Sequence, residues 1–234
     1  MFGFGLRKKL EPPPLEAVFV SEAGLAREDN QDNVLVAPHR GVFCVADGMG
    51  GGAEGGKASD VVCRELKMTT HVAESEFSSL VTAAQNALVD ANYEIFTYAR
   101  ERGFAHMGST AAILVFDPVE RTRAAAIHVG DSRVYRIRRG LAERLTRDHR
   151  VVGGNTLTRA VGGAPTVRCD IRETDVRPGD RFVLCTDGVS GVLSDARLAV
   201  FASGGTLERA AERLAAEVVK AGAPDNYSFV IVQI

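Results

Sequence analysis

Five aspartates stand where apolar runs end or begin. VFCVADGMGG passes into Asp47, AIHVGDS into Asp131 and FVLCTDGVSG into Asp187, while Asp225 opens the run in PDNYSFVIV and Asp32 stands just before the run that starts at Asn33. A strand end delivers a short, stiff side chain to one rim of a sheet, where several can converge. Converging carboxylates repel one another unless protons or cations neutralise them. At the run ends the recurring residue is aspartate, while Cys44, His128 and Cys185 lie inside the apolar runs, so the donor set is all oxygen, which suits Mg²⁺ or Mn²⁺ and not Zn²⁺. Any one Asp-Gly reads more simply as a turn dipeptide. Five such aspartates, each against an apolar run, make the turn-only reading the weaker one.

The scaffold that must position them is legible as short strands and long helices. Strand-like runs rich in Val, Ile, Phe and Ala occupy 17–21, 33–37, 42–46, 110–116, 124–129, 133–138, 181–186 and 229–234, bounded by Gly, Pro, Asp or Asn. Many follow one another after a few residues, as in hairpins, which argues against a doubly wound parallel sheet. Phe77, Leu80, Val81, Ala84, Leu88, Ala91, Ile95 and Tyr98 recur at helical spacing, as do Leu207, Ala210, Ala211, Leu214, Ala215 and Val218. Thr206 is placed to cap the second of these, with Lys220 in its last turn and Gly222 after it. A third helix is expected from near Glu54, carrying Val61, Val62 and Leu66. Mostly antiparallel sheets covered by amphipathic helices make an α+β sandwich.

Composition narrows the class. The 234 residues suit one medium domain, with 45% apolar and 25% charged residues as in ordinary globular proteins. A net charge of −2 gives no electrostatic footprint for nucleic acid. No apolar run approaches the roughly 18 residues of a membrane span. The four cysteines, Cys44, Cys63, Cys169 and Cys185, form no CxxC pair, and the basic start is not followed by a secretory apolar core, so the expected compartment is the cytoplasm. Pro12, Pro13 and Pro14 end a flexible N-terminal segment, residues 1–14, ahead of a single domain at 15–234.

Other chemistries fit less well. Gly50 to Gly55 satisfies GxGxxG, but the surrounding runs do not read as parallel βαβ units. Gly51 to Lys57 matches GxxxxGK, yet Ala58 follows where a magnesium-binding hydroxyl belongs. Asp29 to Asn33 lacks the turn glycine and distal glutamate of an EF-hand. No cysteine has an arginine six positions later, so a thiolate phosphatase loop is absent.

Eight short motifs, in order, carry a family resemblance. They are Arg27-Glu28-Asp29-Asn30-Gln31-Asp32, Ala46-Asp47-Gly48-Met49-Gly50-Gly51, Gly108-Ser109-Thr110, Val129-Gly130-Asp131-Ser132-Arg133, Leu145-Thr146-Arg147-Asp148-His149, Leu157-Thr158-Arg159-Ala160-Val161-Gly162, Thr186-Asp187-Gly188 and Asp225-Asn226. The set resembles the bacterial form of the metal-dependent PP2C (PPM) Ser/Thr protein phosphatases, and the resemblance covers nearly the whole chain, from Leu15 to Ile234. The resemblance implies a four-layer α/β/β/α sandwich with a two-metal centre of Mn²⁺ or Mg²⁺. By motif, Asp47 would bridge both ions, Asp187 and Asp225 would hold the first, and the Gly48 carbonyl the second. Asp32 would orient water on the second ion, Asp131 with Asp187 would hold a third, and Arg27 would grip the substrate phosphate. The chemistry implied is in-line attack on phosphoserine or phosphothreonine by hydroxide shared between the ions, without a covalent enzyme intermediate.

Three departures from the family pattern stand out. Gln31 replaces a glutamate that contacts the second ion through water, and Met49 replaces a histidine proposed as general acid in eukaryotic members. Only Arg150 to Gly154 separate Asp148-His149 from Asn155, where bacterial relatives usually insert a much longer flap. The partners expected are phosphorylated proteins of a cognate Ser/Thr kinase, acted on by a monomer, with no nucleic acid and no membrane. A partner-switching phosphatase dedicated to one small phosphoprotein would share this chemistry. A non-catalytic pseudophosphatase typically loses metal aspartates, and here all five are present.

Overall fold

A computed structural model describes residues 15–50, 53–73, 76–154 and 156–234; the N-terminal segment expected at 1–14 lies outside them. Eleven strands and five helices alternate in blocks among the described residues. Strands β1 (Glu16–Glu22), β2 (Asp32–Ala37) and β3 (Val42–Met49) lead into helices α1 (Ala53–Val72) and α2 (Phe77–Arg102). Strands β4 (Gly108–Ser109), β5 (Ala111–Phe116), β6 (Arg123–Val129), β7 (Arg133–Arg138), β8 (Leu141–Arg144), β9 (Asp170–Asp175) and β10 (Arg181–Cys185) follow. Helices α3 (Asp187–Ser190), α4 (Asp195–Ala202) and α5 (Leu207–Lys220) precede the last strand, β11 (Tyr227–Gln233).

The strands form two sheets, one ordered β1-β11-β10-β7-β8 and the other β2-β3-β5-β6-β9, with β4 paired to β3. Every named pairing is antiparallel. Period-two alternation sends the two faces of each strand into different cores. Phe43 and Val45 of β3 face between the sheets with Leu114, Phe116, Phe182, Leu184 and Val230. Val42, Cys44 and Ala46 face the other way, against α1 and α2 residues such as Val62, Leu66, Leu80 and Leu88. Val183, Phe229 and Ile231 take the outer face of the first sheet, under Leu198 of α4 and Leu207, Leu214 and Val218 of α5. Three cores between four layers give the expected α/β/β/α sandwich.

Three aromatic rings join the sheets. Phe116 meets Phe43 edge-on at 6.0 Å and Phe182 at 5.1 Å between ring centroids. Each is fully buried, and burial of such a side chain is worth about 1.5–3 kcal/mol. This clamp fixes how the two sheets meet, and therefore how their ends meet. The longest helices among the described residues are covered or amphipathic, and none is long and apolar enough to cross a membrane.

Most expected elements are present, and the differences have physical reasons. Strand β3 runs to Met49 rather than ending at Ala46, because Asp47 still pairs with Asp32 and Gly48 with Ser109. Strands β8 and β9 carry the polar sequences LAER and DIRETD at sheet edges, so no apolar run announces them. Helices α3 and α4 are only 4 and 8 residues long, too short for helical spacing to declare itself. Thr206 accepts the Arg209 N–H as the cap of α5.

Candidate active site

The aspartates singled out in the sequence converge where the two sheets meet. Asp32 and Asp47 are direct cross-strand partners on β2 and β3. Asp187 opens α3 after β10, Asp225 precedes β11, and Asp131 follows β6. The Asp47 backbone is pinned: its N–H donates to Thr110 Oγ1 at 3.0 Å, and its carbonyl accepts from Thr110 N–H at 2.8 Å and Ser109 Oγ at 3.0 Å. Thr186 Oγ1 donates to Asp32 Oδ2 at 2.9 Å and accepts the Ser228 N–H at 2.9 Å, which ties the end of one sheet to the start of a strand in the other.

Two glycines permit this convergence by close approach. A Cβ on Gly48 would lie 2.0 Å from the Gly55 carbonyl oxygen, and one on Gly188 would lie 1.9 Å from that of Asn226. Neither Asp-Gly pair is a turn: Asp47-Gly48 lies within β3 and Asp187-Gly188 lies within α3. Each glycine lets a neighbouring segment pack directly beside the aspartate that precedes it.

Charge and burial conflict at this rim. Burial, set against hydrogen bonds from Ser228 and Thr186 and supplemented by the charges of Asp187 and Asp225, pushes the Asp32 carboxyl up to about 7. Burial, then repulsion from Asp32, Asp187, Asp131 and Asp225, holds Asp47 well above the usual carboxylate range. All four other aspartates act on Asp47, which makes it the electrostatic centre of the group. One oxygen of Asp32, Oδ1, is buried with no hydrogen-bond partner. A buried acceptor without a donor is costly, and a cation is the partner it suits. The donor set and this orphaned oxygen fit divalent cations bound through oxygen.

Arg27 reaches the same rim from the loop before β2. Its Nε and Nη2 donate to Asp225 Oδ1 and Oδ2, both at 2.9 Å. A carboxylate has about four lone-pair positions, so a forked arginine leaves others for a metal. Asn226 fixes the loop: its Nδ2 donates to the Ala23 and Asp29 carbonyls at 2.9 and 2.8 Å, and its Oδ1 accepts the Gln31 N–H at 3.0 Å. A cleft of about 540 Å³ opens here, lined by Arg27, Asp47, Gly48, Met49 and Asp225 among others. Met49, and no histidine, is among the described residues that line it.

Asp131 and Asp187 lie to one side of that cleft, and a residue to which the sequence assigned no role stands between them. Arg150 donates through Nε to Asp131 Oδ2 and through Nη2 to Asp187 Oδ2, the latter at 2.7 Å. The only sequence signal was its position, immediately after Asp148-His149 in the shortened connection. Behind it, His128, His149 and Asp170 bring ligand atoms within 4.8 Å of one another, a group able to hold a metal ion. Three of its four ring nitrogens have protein partners. His128 Nε2 lies 2.8 Å from the Arg147 carbonyl, His149 Nδ1 accepts the Gly130 N–H at 3.1 Å, and His149 Nε2 sits 3.3 Å from Asp170. These bonds brace the segment behind Asp131.

Known proteins resemble this chain in sequence and in fold. The family model described as "Protein phosphatase 2C" matches residues 22–222. The serine/threonine protein phosphatase PstP of Mycobacterium tuberculosis is 28% identical over 234 residues, covering 92% of this chain; the chain spans 44% of that relative's length. The structure of PppA, a key regulatory component of T6SS in Pseudomonas aeruginosa, aligns with a TM-score of 0.88 and 32% identity over 94% of this chain and 98% of that one. The catalytic domain of PstP in complex with two manganese ions aligns with a TM-score of 0.81 and 28% identity, over 94% and 98% of the two chains.

Proposed function

Because the chain belongs to the protein phosphatase 2C family, we propose that it hydrolyses phosphoserine and phosphothreonine in proteins with divalent cations bound at the aspartate rim. The observation that carries this reading is the convergence of Asp32, Asp131, Asp187 and Asp225 on Asp47, with a buried oxygen of Asp32 unpartnered. A non-catalytic binding module has no need to keep five mutually repelling carboxylates.

Asp47, Asp187 and Asp225 would hold one ion, and Asp47 with the Gly48 carbonyl a second, with Asp32 orienting water. Mn²⁺ or Mg²⁺ suits such oxygen ligands, and two Mn²⁺ ions are held in the PstP catalytic domain. The chemistry these ions supply when bound is a water of low pKa, poised near neutral pH for in-line attack on phosphorus. Arg27 projects into the cleft and offers two parallel N–H donors to phosphate oxygens, the geometry that guanidinium and phosphate share. Asn226 and the Gly188 contact keep Arg27 and Asp187 in register with the rim. The substrates are expected to be phosphoproteins of a cognate Ser/Thr kinase.

The test is hydrolysis of a phosphothreonine peptide by the full chain with Mn²⁺ and with excess EDTA. Turnover in Mn²⁺ that vanishes in EDTA supports the reading, and equal turnover in both contradicts it.

A further inference from the structure

Arg150 sits between two carboxylates, on backbone that is held beside Asp131. The His149 N–H donates to the Gly130 carbonyl at 2.9 Å, and the Gly130 N–H returns a bond to His149 Nδ1 at 3.1 Å. The backbone that carries Arg150 is therefore held beside Asp131 by its own neighbour. The connection that follows folds straight back, with Val151 N–H on the Thr156 carbonyl at 2.9 Å and a bridge between Arg150 and Leu157. The other nearby carboxylate, Asp148, is held by Arg133 through bonds of 3.0 and 2.7 Å. That leaves Asp131 and Asp187 as the partners of the Arg150 guanidinium, with the Asp131 side chain only 5% exposed.

We propose that Arg150 is a resident cation between Asp131 and Asp187, taking the place that a third divalent ion would otherwise fill. The guanidinium uses one oxygen of each carboxylate, and an ion bridging the same pair would have to displace it. One positive charge, delivered by the chain, offsets the repulsion between Asp131 and Asp187 at every metal concentration. The short connection has a consequence here. It carries no covering element, and it holds the arginine one residue from the bond that anchors it. This inference rests on the phosphatase reading, since it presupposes two ions at Asp47.

Metal stoichiometry tests it without measuring turnover. The full chain, its Arg150→Ala variant and the Arg150→Ala/Asp131→Ala double variant are stripped with chelator and dialysed against Mn²⁺ from micromolar to millimolar, and bound ions are counted. The expected result is two ions for the parent, a third and weaker one for Arg150→Ala, and two again for the double variant. The two retained ions also report that each variant is folded. Three ions on the parent, two on Arg150→Ala, or a third ion that survives loss of Asp131 would each overturn the proposal. Absence of any bound ion from all three chains would instead remove the two-metal centre, and the resident cation with it.

Discussion

Through Nε and Nη2, Arg27 forks onto a carboxylate that the proposed function assigns to metal, and its remaining N–H groups are left for phosphate. The pair is exposed on both sides, and exposed pairs contribute only about 0–1 kcal/mol. Exchange of one Asp225 contact for a phosphate oxygen is therefore easy. Arg27→Ala is expected to lower kcat/KM by about 2–4 kcal/mol in transition-state stabilisation, the range for loss of a charge-stabilising donor, while Mn²⁺ affinity stays within a few-fold. Lost Mn²⁺ affinity with unchanged turnover at saturating metal would reverse the assignment. Asp32 makes a second claim at this scale. Its carboxyl titrates at about 7 in the folded chain against an ordinary 3.8, so folding favours its protonated form. That contribution is complete below about pH 4 and is lost as pH rises to about 7. In chelator, the melting temperature of the parent should fall across pH 5–7.5 relative to that of Asp32→Asn, and Mn²⁺ should abolish the difference. A parent that gains stability relative to Asp32→Asn over that window would contradict the account. The aspartates were legible in the sequence because each abuts an apolar run. Arg150 and Asn226 were not assigned roles, because their work is done through partners 37 and up to 203 positions away.

Elements converge here because short local signals agree with one long-range one. Alternating residues fix which face of each strand enters which core, and the Phe43–Phe116–Phe182 contact fixes the two sheets against each other. The helices α1, α2 and α5 were readable from their spacing; β9 was not, because an edge strand with the sequence DIRETD obeys pairing rather than burial. A turn dipeptide describes neither Asp-Gly pair, since Asp47-Gly48 continues β3, Asp187-Gly188 opens α3, and both glycines serve close packing. The connection from Arg150 to Gly154 is the element with the clearest effect on selectivity. Val152 at its tip is fully exposed and Val151 is half exposed, so neither covers the cleft. Discrimination among phosphopeptides is then expected to be shallow, within about tenfold in kcat/KM, because a few missing side-chain contacts are worth about 1–3 kcal/mol. A panel of unrelated phosphoserine and phosphothreonine peptides measures this directly. A spread beyond about a thousandfold would mean that another part of the surface reads the sequence.

At the scale of the whole molecule, two sheets and their covering helices bring carboxylates from five separate segments to one rim. The tension is concentrated on Asp47, where burial and four neighbouring aspartates all oppose ionisation. Protons or cations must offset this repulsion, and the proposed function gives that task to cations that would also supply the attacking water. The order of the motifs was legible in the sequence; the geometry added which carboxylates are already paired, Asp225 with Arg27 and both Asp131 and Asp187 with Arg150. The most direct measurement is Mn²⁺ binding and phosphothreonine-peptide turnover for the parent and Asp47→Asn, followed on the same preparations. The account predicts that Asp47→Asn, folded by circular dichroism, loses tight Mn²⁺ binding and loses turnover by at least about 100-fold, roughly 2.7 kcal/mol or more at the barrier. Retention of both by Asp47→Asn would contradict it.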